Sequence, residues 1–241
     1  MARRCLLLLA TAACAADATP APAPSATSPT VDTGTPWLHG DGPRFGFPVA
    51  EADAIAARVG VDHDPVVQTG VLAAGICTDY LGRAFPHCYD EHDGSDFLLD
   101  GGFPAMDAGS ATVIAAWPGT VIETHDGEYD RCHVAGTEIS CDGFPMEANL
   151  VKLSHDGGWE SWYWHLMKDS VAVAVGEVVD CGATLGRVGS SGYSSGPHLH
   201  FEVHDPTGAV VDPYAGPFSQ PETYWDQQGA DDALPGPGCG G

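Results

Sequence analysis

Gly196-Pro197-His198-Leu199-His200-Phe201-Glu202-Val203-His204 alternates apolar and polar side chains. Successive side chains of a strand point to opposite faces, so Leu199, Phe201 and Val203 share one face and His198, His200, Glu202 and His204 share the other. Working outward, short β-prone runs recur at Thr112–Ala116, Thr120–Thr124, Leu150–Ser154, Ser161–Leu166 and Val171–Val175. Pro-Gly, Asp-Gly-Gly and other glycine-containing breaks separate them, as turns between strands require. This pattern predicts a mainly β, antiparallel domain. The segment Val49–Val59 carries a helical expectation, with Pro48 near its start and Gly60 just beyond its end. Gly119-Thr120-Val121-Ile122 is echoed faintly by Gly176-Glu177-Val178-Val179.

Packing explains the apolar face of the histidine strand but not two histidines at consecutive positions of its other face. Imidazoles at i and i+2 emerge in parallel, so one can hold a metal while the other faces a substrate. Upstream, His92-Asp93-Gly94-Ser95-Asp96 offers an imidazole and a carboxylate. With one histidine of the strand this would make three ligands and leave one position open, the composition of a catalytic zinc site. Gly94 lets the backbone bend between the two. Trp162-Tyr163-Trp164-His165-Leu166 follows Leu150–Ser154 through His155-Asp156-Gly157-Gly158 and reads as the return strand of a hairpin. A lone histidine in such an aromatic strand is more often a hydrogen-bonded core residue than a catalyst. His63, between Asp62 and Asp64, reads as a loop residue. His87, His125, His133, His155 and His204 read as surface or hairpin residues, and the Trp159, Trp162 and Trp164 cluster reads as core.

In order and spacing these pieces resemble the lysostaphin-type (LytM-like) zinc endopeptidases of peptidoglycan. The resemblance covers about His92 to Pro213, through HxxxD, Tyr-x-His-Leu, GSSGYSSGPHLHFEV and a closing Val-Asp-Pro. It implies His92, Asp96 and His200 as zinc ligands and His165 and His198 as unliganded active-site histidines. It also implies a barrel-sandwich core like a duplicated hybrid motif, with peptidoglycan peptides as substrate. Glu202 is a candidate outer partner of the metal site. Two features depart from a minimal family domain: the Cys132–Cys141 insertion and the stretch before His92. The expected organisation is a signal over 1–16, an Ala/Pro/Thr-rich linker over 17–36, the peptidase domain with its N-terminal extension over 37–220, and a tail over 221–241.

Composition narrows the partners. Nine Lys and Arg against 33 Asp and Glu give a formal net charge of -24. Nucleic-acid binding and adhesion to anionic membrane surfaces both need clustered cations, so neither is expected. Arg3, Arg4 and the short apolar run from Cys5 read as an export signal, too short to span a bilayer in the mature chain. Two cleavage readings stay open: a small-residue site near Ala13-Cys14-Ala15 gives a secreted monomer, and a loose lipobox at Ala12-Ala13-Cys14 makes Cys14 a lipid anchor in the cell envelope. Beyond Cys14 stand Cys77, Cys88, Cys132, Cys141, Cys181 and Cys239. An even number suits disulfides in an exported chain. Short loops favour Cys77–Cys88 and Cys132–Cys141, leaving Cys181–Cys239. The rival functional classes are a non-catalytic LytM-like regulator that activates other wall hydrolases and an intracellular phosphocarrier with an active histidine; export and disulfides oppose the latter.

Overall fold

The structure, a computed structural model, describes residues 42–67, 76–231 and 233–238. The 1–16 signal, the 17–36 linker, Cys14 and Cys239 lie outside the described residues.

Among the described residues the fold comprises twelve strands, one short α-helix and two 3-10 turns. β1 (Ile55–Val59) and β2 (Ser95–Leu99) precede α1 (Gly102–Asp107), then β3 (Thr112–Ile114) and β4 (Gly119–His125) follow. A small hairpin, β5 (His133–Ala135) and β6 (Glu138–Ser140), leads into β7 (Leu150–Ser154) and β8 (Glu160–Trp164). The chain closes with β9 (Val178–Val179), β10 (Thr184–Arg187), β11 (His198–His204) and β12 (Val210–Val211). The main sheet runs β1-β2-β11-β8-β7-β4-β9, with β12 pairing the far end of β11. Every pairing within it is antiparallel.

The mainly β, antiparallel expectation holds, but no barrel closes among the described residues: the sheet is an open path from β1 to β9. The β3–β10 pair stands apart as a second ladder and shares the core, with Val113 and Leu185 joining Val121, Leu153, Tyr163, Leu199 and Phe201. The echoed segments pair with each other, Gly119 opposite Val179 and Thr120 opposite Val178. The Tyr163 hydroxyl accepts from Ala116 N at 2.8 Å inside the core. Trp225, in the segment beyond 220, is fully buried and stacks on Phe201 at 5.6 Å.

Two expectations about local structure need correction. The helix expected over Val49–Val59 is a single 3-10 turn at Ala52–Ala54 followed by β1. Alanines favour a helix there, but hydrogen bonding to β2 is the stronger force: Ile55 pairs Leu99 and is buried. Val171–Val175 is not a strand, because only Ala172 N reaches a strand carbonyl there, that of Leu185 at 2.9 Å.

Cys77 is bonded to Cys88 and Cys132 to Cys141, as expected from their short loops. No helix of the described residues is long and apolar enough to cross a membrane.

Candidate metal and catalytic site

Strand register builds the site. On β11, Leu199, Phe201 and Val203 are fully buried in the core. The opposite face is not an open polar surface either, since His198 and His204 are each only 6% exposed. β2 lies on one side of β11 with Asp96 directly opposite His200, and β8 lies on the other with Trp164 opposite His200. Directly opposed residues share a face. His92 arrives from the loop three residues before β2.

His92, Asp96 and His200 converge, each offering one ligand atom and all three atoms lying within 4.8 Å of one another. His200 Nδ1 lies 2.7 Å from Asp96 Oδ1, and His92 Nε2 lies 3.1 Å from the same oxygen and 3.2 Å from His200 Nδ1. Each imidazole is anchored through its other nitrogen. His92 Nδ1 donates to the Gly60 carbonyl at 2.7 Å, and His200 Nε2 donates to Glu202 Oε1 at 3.0 Å. Such bonds select the tautomer and aim the free nitrogen. With its Nδ1 proton given to Gly60, His92 turns Nε2 toward the Asp96 carboxylate, where a cation would meet both.

Glu202 spans two histidines, accepting from His204 Nε2 at 2.7 Å through its other oxygen. Burial opposes its ionisation, but hydrogen bonds from His200 and His204 hold the carboxyl at about 2. For His200 burial pulls the other way, and Asp96 and Glu202 together raise it to about 10. Asp96 is fully buried, yet His92, His198 and His200 keep it well below the ordinary carboxylate range.

His165 and His198 stand beside this group with ring centroids 4.7 Å apart. His165 Nδ1 donates to Ser191 O and His198 Nδ1 to Gly196 O, both at 2.7 Å. Each therefore keeps Nε2 free, and His198 Nε2 lies 3.5 Å from Asp96 Oδ1. Burial lowers the pKa of both, with neighbouring imidazoles adding to it, so both are neutral bases near pH 7.

His165 takes φ +64°, the left-handed region where histidine is enriched among non-glycine residues. Strict alternation after Tyr163 and Trp164 would send His165 to the core. The left-handed turn ends β8 and brings the ring to His198 instead.

Gly94 fits for a steric reason. A Cβ there would stand 2.5 Å from His200 Cε1 and 3.0 Å from the Phe201 carbonyl. Gly94→Ala is expected to displace the His200 ring and weaken metal binding at least ~10-fold, the scale of lost outer-sphere support. Competition with a chelator of known affinity measures it, and unchanged affinity would refute it.

The remaining histidines meet expectation in part. His63 is a loop residue, as expected, paired to Asp212 at 2.9 Å. His155 and His204 do sit where hairpins turn, at β7–β8 and β11–β12, but both are buried and not surface residues. His155 is held by Pro118 O and Ser161 Oγ at 2.8 Å each, and His204 stacks on Trp162 at 3.8 Å. Trp162 and Trp164 are half-buried on the histidine face, with the Lys152 ammonium 3.8 Å over Trp162. Only Trp159 packs against the core. Further neighbours also enter, among them serines of Gly189–Gly196, the glycine-serine loop whose sequence reads as a cleft wall that positions His198. Tyr89 stacks on His92 at 4.1 Å and donates to Asp96 Oδ2 at 3.1 Å. Ser190, Ser191, Ser194 and Asn149 are fully buried behind the two unliganded histidines.

Residues 91–213 match peptidase family M23, a span that contains all five candidate residues. The chain belongs to that family. Among relatives of this M23 chain, an uncharacterised protein of Mycobacterium tuberculosis is 29% identical over 171 residues, covering 69% of this chain and 35% of that one. A peptidoglycan DD-endopeptidase of Vibrio cholerae is 29% identical over 122 residues, covering 51% of this chain and 21% of its own. A glycyl-glycine endopeptidase of Staphylococcus capitis is 35% identical over 111 residues, covering 46% and 24%. The M23 chain thus spans about a third or less of the length of these relatives.

Proposed function

We propose that the protein is an exported zinc endopeptidase that hydrolyses peptide bonds of bacterial peptidoglycan. The observation carrying this reading is the convergence of His92, Asp96 and His200 with two neutral, tautomer-fixed histidines alongside. Membership of M23 and the names of the wall-cleaving relatives support the substrate class. A non-catalytic regulator needs neither the ligand set nor the flanking histidine pair.

The donor set fits zinc: two imidazole nitrogens and one carboxylate oxygen, each imidazole held from behind. Bound there, zinc would supply Lewis acidity to the scissile carbonyl and to the attacking water. The protein's own part is proton management. His165 and His198, kept neutral by burial and aimed by Ser191 O and Gly196 O, present an Nε2 lone pair to accept the proton of the water, and a ring that has taken that proton can then donate Nε2–H to the developing oxyanion. Glu202, fixed by His204, keeps the Nε2 proton on His200 so that Nδ1 faces the metal position.

Metal loading should be coupled to protons. With His200 raised to about 10, the metal-free protein holds a proton on Nδ1 at pH 7, and a metal ion must displace it. Zinc affinity should therefore rise with pH, about tenfold per unit until pH approaches that pKa, and weaken as pH falls. Calorimetry in buffers of different ionisation enthalpy reads the released proton; zero release at pH 7 would contradict the assignment. Digestion of defined muropeptides by the zinc-loaded protein, with fragments identified by mass, tests the activity itself. No cleavage of any would favour the regulator.

A further inference from the structure

The loop Gly189–Gly196 supplies the carbonyls that fix both unliganded histidines, and the disulfide-closed hairpin holds that loop. Cys132 N donates to Ser190 O at 2.9 Å, and Ser190 Oγ donates back to Cys132 O at 2.7 Å. Val134 N donates to Ser195 O at 3.2 Å, while Cys141 Sγ lies 3.4 Å from Gly192 O. Gly192 has φ +73°, and a Cβ on it would stand 2.8 Å from Ala148 Cβ, so the loop also lies directly on the chain that leads from the hairpin into β7.

From the hairpin the contacts lead inward. Ser190 Oγ and Ser194 Oγ are 2.9 Å apart, and Ser194 Oγ lies 2.9 Å from Gly196 O and 3.3 Å from His198 Nδ1. Both serines are fully buried, as is Cys132. Ser190 spends its one hydroxyl proton on the Cys132 carbonyl. The Ser194 proton reaches either Ser190 Oγ or the Gly196 carbonyl. In the first arrangement the donor line is unbroken, from the His198 Nδ1–H, shared between Gly196 O and Ser194 Oγ, through Ser194 and Ser190 to the Cys132 carbonyl; in the second, Ser194 holds Gly196 O directly and meets Ser190 by packing alone. Buried hydroxyls without partners are costly, so the pair stays in place only while the hairpin presents its carbonyl.

We propose that Ser190 and Ser194 are positioning residues for His198, and that the Cys132–Cys141 disulfide hairpin is their anchor. The disulfide then serves turnover and not only folding: it holds a carbonyl in place, the carbonyl holds a serine pair, and the pair fixes the ring. The proposal rests on the role given to His198 above. Among the described residues no hydrogen bond, ion pair or ring contact joins the hairpin to the three candidate metal ligands, so metal binding should be indifferent to it.

The test uses the full zinc-loaded chain and the variants Ser190→Ala, Ser194→Ala and Cys132→Ser/Cys141→Ser. Each is expected to keep its zinc while kcat falls about 10- to 100-fold with KM little changed, the range for outer-sphere partners. Adding Ser190→Ala to the cysteine pair should cost little more, because the changes lie on one line of contacts. A purely structural hairpin predicts lowered melting temperatures with wild-type kcat in the folded fraction, and that result overturns the proposal. So does a fall in kcat matched by loss of zinc. Imidazole nitrogen resonances of His198 give a readout that needs no turnover. They should shift and broaden in Ser190→Ala, and identical spectra would refute the positioning role even if the wild-type protein cleaves no muropeptide.

Discussion

His200→Ala is expected to leave the protein unable to retain zinc and without measurable hydrolysis. Three groups converge on the metal position, and His200 Nδ1 is the one closest to Asp96. Removing it leaves two protein ligands, fewer than catalytic zinc sites use. It also strips Asp96 and Glu202 of the imidazole between them. Asp96 is only 5% exposed and keeps Tyr89 and His92 beside it, so the variant should lose part of the ~3–5 kcal/mol that an entirely unpartnered buried charge costs. A lower melting temperature should therefore accompany the loss of metal. Asp96→Asn separates the two effects: it keeps the shape, removes the charge, and should also lose zinc. If the three residues were only a hydrogen-bonded polar cluster, metal content would be equal in wild type and variants. Elemental analysis of dialysed protein checks this, and full zinc in His200→Ala would end the metal assignment.

Much of the sheet was legible from sequence because its strands are half-buried and follow a period of two. Leu150–Ser154 and the histidine strand were read within a residue of their ends. β1 was not, since an alanine-rich run says nothing of the partner it will meet, and β2 decides its form. Residue types raised His92, Asp96 and the histidine strand, and the family resemblance made His92, Asp96 and His200 a group. Their convergence on one oxygen depends on the β2–β11 register and on the Gly60 carbonyl brought by the end of β1. The buried serines were invisible for a different reason. GSSGYSSG carries no periodicity, and a glycine-serine loop reads the same whether exposed or packed behind a hairpin. From sequence His155 and His204 read as surface or hairpin residues; the hairpins are there, but position near a turn does not reveal burial, and both meet specific partners inside.

The two unliganded histidines should show the opposite behaviour to His200. His165→Ala and His198→Ala are expected to keep zinc and fold but lose turnover by about 10²–10⁴, the worth of general acid–base help or of an oxyanion donor. Neither ring is among the three convergent ligands, and each hydrogen-bonds through Nδ1 to a backbone carbonyl, leaving Nε2 for chemistry. The loss should fall on kcat, with modest change in KM, because both groups act on protons or charge that appear in the transition state. A structural account forecasts differently. His165 occupies a left-handed position at the end of β8, so a ring retained only for packing would lower the melting temperature when removed and leave turnover per folded molecule unchanged. His198→Gln adds a control, since an amide can donate a hydrogen bond but cannot take a proton at neutral pH. It should rescue part of the rate if His198 steadies an oxyanion and none if it is the base. Zinc content, thermal stability and muropeptide hydrolysis measured on the same preparations decide among these outcomes. Wild-type kcat in both alanine variants would show that the pair takes no part in the reaction.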